Sequence, residues 1–296
     1  MRKIVYMLVL FLMMIVLLGL PSGALVADAY AEDSMPALAL NAQKGGMPSA
    51  EGYLADGAGY EDESLHVNIE QVRAYDTTIL VARIAIKDAS QLRTAMAGGY
   101  GSSTQVPGTN MTKRVNAVFA VNGDYFNFNN KGYVVRQGKL YRDNLAGDAD
   151  VLLIDDKGDF HVVRDATTDK IALFGGTIVN SFCFGPALVV DGEMVESRVI
   201  DNIGFDKKTQ RMVVGQTGPL EYICVATEGP ENKDSVGLTI AEIREFMGTL
   251  GCQVAYNLDG GSSSTMVLNN KKINALSTGK TRSICDILYF ATLISQ

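Results

Sequence analysis

An apolar run followed by a carboxylate and a glycine- and serine-rich stretch marks the region around residue 259. Residues 254–258 have the pattern of a short strand, and Asp259 follows directly, with Gly260, Gly261 and the hydroxyls of residues 262–264 behind it. A carboxylate at a strand end is suited to proton transfer or nucleophilic attack. Glycines admit a ligand close to the backbone, and consecutive amides hold phosphate oxygens. The stretch predicts a catalytic or binding loop, and a plain turn between two strands is the equal alternative.

A second strand end carries the same residue types. The apolar residues 117–121 lead into Asn122, Gly123 and Asp124. Glycosyl transfer uses two carboxylates in one cleft, one as acid or base and the other to attack or to stabilise the developing positive charge. Asp259 and Asp124 are therefore predicted to share a cleft with Asn122. For this motif taken by itself, a turn in front of an aromatic core residue is an equal alternative.

Short strands make up most of the chain between these motifs. Residues 65–69 alternate apolar and polar side chains, which is the pattern of a half-buried strand. Compact apolar runs predict further strands at residues 79–86, 117–121, 151–154, 160–163, 187–190, 212–214, 223–226 and 254–258. The glycines in residues 156–159 and 191–193 predict hairpin turns, because glycine readily adopts the positive φ that such turns need.

Two helices are predicted among these strands. Thr239 and Glu242 form a capping-box pattern, apolar residues then recur on one face, and Gly251 stands where a left-handed residue ends a helix. A second helix is predicted over residues 90–97. Few helices among many strands favour an α+β fold, a strand-rich single domain with mixed sheets.

The N-terminus has the order of an export signal. Arg2 and Lys3 precede an apolar run over residues 4–20, and Ala29-Tyr30-Ala31 offers a small-residue cleavage site. Residues 1–31 are predicted to be either a cleaved signal peptide or an uncleaved hydrophobic anchor helix. Residues 32–62 are rich in small and acidic residues and are predicted to be a flexible linker. The domain is predicted to span residues 63–296, secreted or anchored on the outer face of the cytoplasmic membrane.

Charge and cysteine usage exclude several classes of protein. The net charge of −7 and the absence of basic runs argue against nucleic acid as a partner. The chain has four cysteines without close spacing, each in an apolar stretch, which favours free buried thiols over disulfides. The two histidines in the whole chain argue against a zinc site or a histidine-dependent nucleophile. No metal site and no cofactor are predicted, and calcium held by Asp259 and loop carbonyls is the minor alternative. Membrane contact is expected only through the N-terminal segment.

Five motifs follow one another in a fixed order: Asn122-Gly123-Asp124-Tyr125-Phe126, Phe184-Gly185-Pro186-Ala187-Leu188, Arg211-Met212-Val213-Val214-Gly215-Gln216, Gly237-Leu238-Thr239, and Asn257-Leu258-Asp259-Gly260-Gly261-Ser262-Ser263-Ser264-Thr265-Met266 with Arg282 beyond. Over about residues 65–296 this order resembles the phosphodiester glycosidase family. The resemblance implies hydrolysis of a sugar-1-phosphodiester at its anomeric bond, on an envelope or extracellular glycan. It also implies that the cleft is lined by Asp259, Asn257, Asn122, Arg211 and Arg282.

The chain departs from the family pattern at two positions. Ser262 stands where the family usually has a third glycine, and Asp124 replaces what is often a second glycine, so a catalytic role for Asp124 depends on the physical argument alone. The expected catalytic residues are Asp259, Asp124 and Asn122. The expected substrate ligands are Arg211, Arg282, Asn257, Gly260, Gly261, Ser262, Ser263 and Ser264.

A mechanism follows from this set of residues. Arg211 and Arg282 would clamp the phosphate by forked hydrogen bonds, Asp259 would assist attack at the anomeric carbon, and the loop amides would hold the sugar. Two alternatives stay open. A non-catalytic module would bind a wall glycan or phosphodiester polymer in the same cleft, and a hydrolase with a serine of residues 262–264 as nucleophile would lack a histidine base.

Overall fold

Antiparallel strands dominate this computed structural model, which describes residues 35–128, 130–196, 204–230, 232–275 and 282–294. The predicted export segment, residues 1–31, lies outside the described residues. Within the described ranges, no helix is both long and apolar enough to cross a membrane. The strands in these ranges are β1 (Gly59–Glu61), β2 (Leu65–Ala74), β3 (Thr77–Ile86), β4 (Leu92–Met96), β5 (Val106–Pro107), β6 (Phe119–Asn122), β7 (Gly132–Arg136), β8 (Lys139–Asn144), β9 (Val151–Asp155), β10 (Phe160–Val163), β11 (Ile178–Phe182), β12 (Ala187–Val190), β13 (Glu193–Met194), β14 (Met212–Gly218), β15 (Glu221–Thr227), β16 (Val254–Leu258), β17 (Met266–Leu268), β18 (Lys271–Lys272), β19 (Ser283–Ile284) and β20 (Asp286–Phe290).

The strands form two large sheets and three small ones. The larger sheet has the order β1-β2-β3-β15-β14-β16-β12-β13, and the second has the order β18-β17-β6-β20-β4. The small sheets are β10-β9-β11, β19-β5 and β7-β8. Each predicted apolar run falls on one of these strands, and the predicted turns at residues 156–159 and 191–193 join β9 to β10 and β12 to β13.

The described residues form three α-helices: α1 (Gly108–Val115), α2 (Thr168–Ala172) and α3 (Ile240–Gly248). The main core lies between the two large sheets, where Tyr256 and Leu258 of one sheet belong to the same apolar cluster as Phe119 and Leu288 of the other. The far face of the larger sheet packs against α3, and the far face of the second sheet packs against α1. The fold is therefore α+β, as predicted, but the strand pairs of both large sheets are antiparallel, where mixed sheets were expected.

The helix predicted from Thr239 is confirmed together with its capping box. The Thr239 hydroxyl accepts a hydrogen bond from the Glu242 amide, and the Glu242 carboxylate accepts one from the Thr239 amide. Gly251, just beyond the helix, has a left-handed φ of 76°. This helix packs behind β16, the strand that carries Asp259.

The helix predicted over residues 90–97 is wrong. A short 3₁₀ turn, Ala89–Gln91, is capped by the Asp88 carboxylate, and the chain then extends as β4. Leu92 pairs with Phe290 and Met96 with Asp286 along β20. Pairing with a strand nearly two hundred residues away outweighs the local helical pattern. A single window of sequence cannot reveal that pairing.

Residues 35–62, described by the structure, are packed on the domain, in contrast to the flexible linker predicted for residues 32–62. The buried Arg93 guanidinium donates hydrogen bonds to the carbonyls of Ala39, Leu40 and Ala42 at 3.2, 3.3 and 2.9 Å. Tyr60 in β1 is fully buried. The segment binds to the domain through its main-chain carbonyls, and such contacts produce no apolar periodicity in the sequence. The folded domain therefore includes residues before position 63.

The four cysteines are free thiols in the structure. Cys224, Cys252 and Cys285 are buried, and burial raises the pKa of the Cys252 thiol to about 11. These thiols behave as small apolar side chains, as their neighbours in the sequence indicate.

Candidate active site

The two predicted strand ends meet although they belong to different sheets. Asn122, the last residue of β6, donates a hydrogen bond from Nδ2 to the Asp259 carbonyl at 2.7 Å and accepts one at Oδ1 from the Thr265 amide at 2.9 Å. The Asp259 amide donates to the Gly123 carbonyl at 3.3 Å. Asn122 therefore clamps the loop after β16 to the end of β6, and it acts on the position of Asp259 through the backbone.

The glycines after Asp259 allow a close approach between two backbones. A Cβ on Gly260 would lie 2.7 Å from the Gln210 carbonyl oxygen, and Gly261 has a left-handed φ of 57°. The chain then turns through a short 3₁₀ segment, Gly261–Ser263. A side chain at Gly260 would push the Asp259 loop away from the segment before β14, whereas Gly261 is favoured by its left-handed backbone alone.

The amides of this loop are mostly engaged inside the protein. Four of them donate hydrogen bonds to protein oxygens: Gly261 to Gln210, Ser263 to Gly260, Ser264 to Gly261 and Thr265 to Asn122. The predicted cradle of amides for sugar or phosphate oxygens is therefore not formed by these groups. The glycines allow the turn, and these four amides are not available to a ligand.

A small cavity lies where the two strand ends meet. Its volume is about 10 Å³, which is on the order of the space that one water molecule needs. The residues around it are Gln105, Asn122, Gly123, Tyr125, Asp259, Ser263, Ser283, Ile284, Cys285 and Asp286. Two carboxylates, Asp259 and Asp286, thus border a recess of molecular size.

Asp259 is the half-buried carboxylate of this cavity. Burial raises its pKa to about 6, opposed by the hydrogen bond from the Ser263 hydroxyl and by the charge of Arg282, and the nearby Asp124 raises it further. A carboxylate with a pKa near 6 is suited to exchange a proton near neutral pH. The predicted catalytic position of Asp259 is the one that the geometry favours most.

Asp124 does not border the cavity. It is buried, with Oδ1 at 2.8 Å from Nη2 of Arg136 and Oδ2 accepting a hydrogen bond from the Cys183 amide at 2.9 Å. Both of its oxygens are engaged, which corrects the expectation that it is the second catalytic carboxylate. The partner, the buried Arg136 at the end of β7, lies twelve residues along the chain and outside the motif that contains Asp124.

The second carboxylate at the cavity is Asp286, the first residue of β20. Its Oδ2 lies 2.7 Å from the same Nη2 of Arg136, and its side chain is almost fully buried. Burial raises the pKa of Asp286, the charge of Arg136 opposes this, and the charge of Asp124 adds to it. A Cβ on Gly123 would overlap the Asp286 carboxylate, so glycine is required there.

Arg136 holds both carboxylates from beneath the cavity. It ends β7, is 4% exposed, and also donates hydrogen bonds to the carbonyls of Val135 and Ser181. Burial lowers its pKa, but the charges of Asp124 and Asp286 more than offset this, so the guanidinium stays protonated. The ring of Phe182 lies 4.6 Å from its Cζ. Sequence reasoning missed Arg136 and Asp286, whose only signal is a charge within an otherwise apolar strand.

Arg211, expected to clamp the phosphate, is turned toward the protein backbone. Its Nε donates to the Leu238 carbonyl at 2.9 Å, and its Nη2 donates to those of Gly204 and Lys207 at 2.7 and 2.8 Å. It is 2% exposed, and burial lowers its pKa to about 10. The guanidinium joins the chain around residue 204 to the segment that precedes α3, and this contradicts the clamp.

Arg282 and the serines after Gly261 take different positions. Arg282 is exposed, and its Nη1 donates to the Ser262 Oγ at 2.6 Å. Ser263 borders the cavity, whereas Ser264 is buried with its Oγ 3.5 Å from the Arg211 carbonyl oxygen. Arg282, Ser262 and Ser263 are therefore the predicted ligands that the structure brings close to Asp259.

Asn257, another expected substrate ligand, lies inside the sheet. Its Nδ2 donates to the Gly185 carbonyl at 2.7 Å, and the residue is 1% exposed. Its Oδ1 is buried and has no hydrogen-bond partner among the described residues. The side chain joins β16 to the Gly185-Pro186 segment, and it does not border the cavity.

Tyr125 stands at the cavity in a backbone conformation that is rare for an aromatic residue. Its φ is 64°, and its ring stacks on Phe128 with 4.3 Å between centroids. Left-handed backbone at a bulky residue is held in place only by its surroundings, and it occurs often at functional sites.

Within the described ranges, no group of three or more acidic, cysteine or histidine side chains forms a metal site.

Comparison with known proteins assigns the chain to a family. The model of the phosphodiester glycosidase domain matches residues 115–291, which include both strand ends, Arg136 and Asp286. The chain belongs to the phosphodiester glycosidase family. The match includes every residue around the cavity except Gln105, so the site and the family assignment concern the same part of the molecule.

A curated relative of this phosphodiester glycosidase domain is the SPbeta prophage-derived uncharacterized protein YomE of Bacillus subtilis strain 168. It is 28% identical over 194 residues, which is 64% of this chain and 30% of the relative. The chain thus spans less than a third of the relative's length in the match. What YomE does as a whole protein is therefore not transferred to this chain.

Solved structures share the fold. The catalytic domain of zebrafish N-acetylglucosamine-1-phosphodiester alpha-N-acetylglucosaminidase, auto-inhibited by its pro-peptide, matches with a TM-score of 0.64 at 18% identity, over 84% of this chain and 87% of that one. A hypothetical protein from Synechocystis matches with a TM-score of 0.54 at 14% identity, over 77% and 62% of the two chains. A protein of Burkholderia pseudomallei K96243 matches with a TM-score of 0.51 at 16% identity, over 73% and 74%. At these identities the likeness concerns the fold alone.

Proposed function

We propose that this protein hydrolyses a sugar-1-phosphodiester, of the N-acetylglucosamine-1-phosphodiester kind, at the anomeric bond. The observation that carries the proposal is Asp259, a half-buried carboxylate with a pKa of about 6 at a cavity the size of one water molecule. Membership of the phosphodiester glycosidase family supports the reaction class. The name of the zebrafish enzyme supports the choice of N-acetylglucosamine as the first sugar to test.

In the proposed reaction, Asp259 removes a proton from the water that attacks the anomeric carbon. The bond between water oxygen and that carbon forms while the bond to the phosphate oxygen breaks, and the electron pair leaves with the phosphate. A phosphomonoester has its second pKa at about 6, so the leaving group needs little protonation. The main demand on the protein is therefore a base held in position, which the clamp by Asn122 supplies.

The phosphate is expected to lie at Arg282, beside the Ser262 hydroxyl. Arg282 is exposed and its charge acts on Asp259, so an anion bound there would be next to the reacting bond. Guanidinium groups bind phosphate oxygens by charge-assisted hydrogen bonds. With Arg211 bound to backbone carbonyls, one arginine of the predicted pair remains for this task.

The test uses the purified full-length chain, wild type beside Asp259→Asn, with an N-acetylglucosamine-1-phosphodiester as substrate. Released reducing sugar is measured over pH 4–8. We expect release by the wild type and a loss of roughly 10³-fold or more in kcat in the variant, since a base and its charge are both removed. Asp124→Asn, which neutralises a carboxylate away from the cavity, is the matched control.

Two results would overturn parts of this proposal. If Asp259→Asn folds normally and keeps its activity, Asp259 is not the base. If the wild type binds the phosphodiester but releases no sugar from any phosphodiester glycan tested, the protein is a binding module, and Asp259→Asn should then change affinity only modestly.

We also infer that the protein acts outside the cytoplasmic membrane, on an envelope or extracellular glycan. The inference depends on Arg2, Lys3 and the apolar run over residues 4–20. A fusion of residues 1–62 to a reporter that is active only after export tests it. Reporter activity that disappears when residues 4–20 are deleted supports export, and a reporter that stays in the cytoplasm contradicts it.

A further inference from the structure

Asp124 and Asp286 share one cation but differ in what their second oxygen does. Each places one carboxylate oxygen within 2.8 Å of Nη2 of Arg136. The other oxygen of Asp124 accepts a hydrogen bond from the Cys183 amide at 2.9 Å. Among the described residues, Oδ1 of Asp286 has only the Cys285 thiol near it, at 3.5 Å, and a thiol is a weak donor. Asp286 therefore keeps an acceptor oxygen with little to accept.

The position of Asp286 allows its second oxygen to accept a hydrogen bond from a molecule in the cavity. Asp286 borders the cavity together with Asp259, and the cavity volume of about 10 Å³ suits a single water molecule. The Asp286 carboxylate fits beneath Gly123 because that residue has no Cβ. Its Oδ2 is fixed by Arg136, so the carboxylate cannot rotate without breaking an ion pair at 2.7 Å. A fixed carboxylate that borders the same cavity as a base can orient a small molecule held there.

We propose that Asp286 is the second ligand of the attacking water, which it holds against Asp259, and that Arg136 fixes Asp286 in this position. The inference deepens the proposed function and depends on it. In the reaction, Asp286 accepts a hydrogen bond from one O–H of the water, and Asp259 takes the proton of the other. The remaining oxygen lone pair then points to the anomeric carbon at the cavity mouth. Asp286 ends the step as it began it, as a carboxylate.

The charges around Asp286 favour this division of roles. Asp124, Arg136 and Asp286 form a buried group of two carboxylates and one guanidinium, and Asp259 lies beside it with the exposed Arg282. Arg136 stabilises the charged form of Asp286 directly, while Asp259 has no buried cation bonded to it in the described structure. Burial raises the pKa of both carboxyl groups to about 6, so the ion pair assigns the roles: Arg136 holds Asp286 in place as the fixed acceptor, and Asp259 takes the proton.

The variants Asp286→Asn and Asp124→Asn test the inference as a matched pair. Each removes one negative charge from Arg136, each keeps the size of the side chain, and only Asp286 borders the cavity. We expect kcat on the sugar phosphodiester to fall roughly 10- to 100-fold further in Asp286→Asn than in Asp124→Asn, with KM similar in both. Their melting temperatures should fall by similar amounts, since both lose a partner of the same guanidinium.

Each outcome decides the question. Equal losses of kcat in the two variants mean that Asp286 is only a structural partner of Arg136, and full activity of Asp286→Asn overturns the inference. A wild-type protein without activity counts against the proposed function and not against the role inferred for Asp286. In that case a high-resolution crystal structure decides: an ordered water within hydrogen-bonding distance of both Asp259 and Asp286 supports the inference, and a well-ordered site without it overturns the inference. The same crystallographic test applies if either variant fails to fold.

Discussion

Two strand ends of this protein carry nearly the same residues, but their aspartates have different surroundings and different predicted roles. Asn122-Gly123-Asp124 ends β6, and Asn257-Leu258-Asp259 ends β16. Asp124 is 6% exposed and has both oxygens engaged, whereas Asp259 is half-buried and faces the cavity. The asparagines differ as well, since Asn122 holds the Asp259 loop and Asn257 holds Gly185. What distinguishes the two aspartates is Arg136, which comes from neither motif.

The comparison teaches that a local motif places a carboxylate but does not assign its chemistry. Asp124, with both oxygens engaged by Arg136 and the Cys183 amide, has no oxygen left for a ligand, while Asp259 borders the cavity and has a raised pKa suited to proton exchange. The site therefore depends on a charge balance spread over β7, β20 and the two loops. Substitutions that change this charge balance should therefore increase or reduce the difference between the two aspartates.

The largest effect is expected from Arg136→Met, which keeps the volume of the side chain and removes its charge. Asp124 and Asp286 would then be buried together without a cation, and breaking such a group typically costs about 3–5 kcal/mol. We expect a loss of this size in the free energy of unfolding, measured by urea titration at pH 7. Arg282→Met, an exposed arginine near the same site, should change it by about 0.5 kcal/mol or less. Similar losses in both variants would contradict the central place of Arg136.

A smaller loss is expected from Gly123→Ala. The added Cβ would overlap the Asp286 carboxylate, which could move away only by breaking its ion pair with Arg136. Such overpacking costs about 1–3 kcal/mol, and kcat should fall because Asp286 and the Asp259 loop are both displaced. Gly218→Ala is the control, because a Cβ there would make an ordinary contact of 3.4 Å with the Glu221 side chain. A Gly123→Ala variant as stable and active as the control would mean that Asp286 is mobile.

The sequence was sufficient for the parts of the fold that local patterns determine. The compact apolar runs, the capping box at Thr239 and the two hairpin turns are all confirmed. The helix over residues 90–97 was wrong, and residues 35–62 are packed on the domain where a flexible linker was expected. In both places contacts with distant residues decide the structure: β20 pairs with β4, and Arg93 binds carbonyls of the N-terminal segment.

The residues of the site likewise fall into those that local motifs reveal and those that distant contacts determine. Asp259, Ser263 and Arg282 lie in motifs, and their positions near one cavity follow from strand ends that local sequence reveals. Arg211 is in a motif too, but its partners are backbone carbonyls, which carry no sequence signal. Asp286 and Arg136 each stand alone in an apolar strand. Their pairing depends on sheet topology, which a single sequence does not determine.

A third effect, of at most about 3 kcal/mol, is expected in the pH dependence of stability. The folded pKa of Asp259 is about 6, above its ordinary value of 3.8. The folded protein therefore holds this proton where the unfolded chain has lost it. The stability that Asp259 contributes is complete below its unfolded pKa and is lost as pH rises through about 6. Urea titrations from pH 3.5 to 7.5 should thus show the wild type losing stability relative to Asp259→Asn over this interval. A constant difference would mean that Asp259 titrates normally.

The smallest effect concerns Arg282, whose charge lowers the pKa of Asp259 from outside the cavity. Because Arg282 is exposed, its interaction should be worth about 0.2–1 kcal/mol and should weaken in salt. Arg282→Gln is expected to raise the pKa of Asp259, measured by carboxyl NMR titration without substrate, whereas Lys113→Gln, an exposed charge on α1, should leave it unchanged. The difference between wild type and Arg282→Gln should shrink at 1 M salt. A difference that persists in salt would place Arg282 in a direct, shielded contact with Asp259, and phosphate binding would then have to break that contact before it could use the guanidinium.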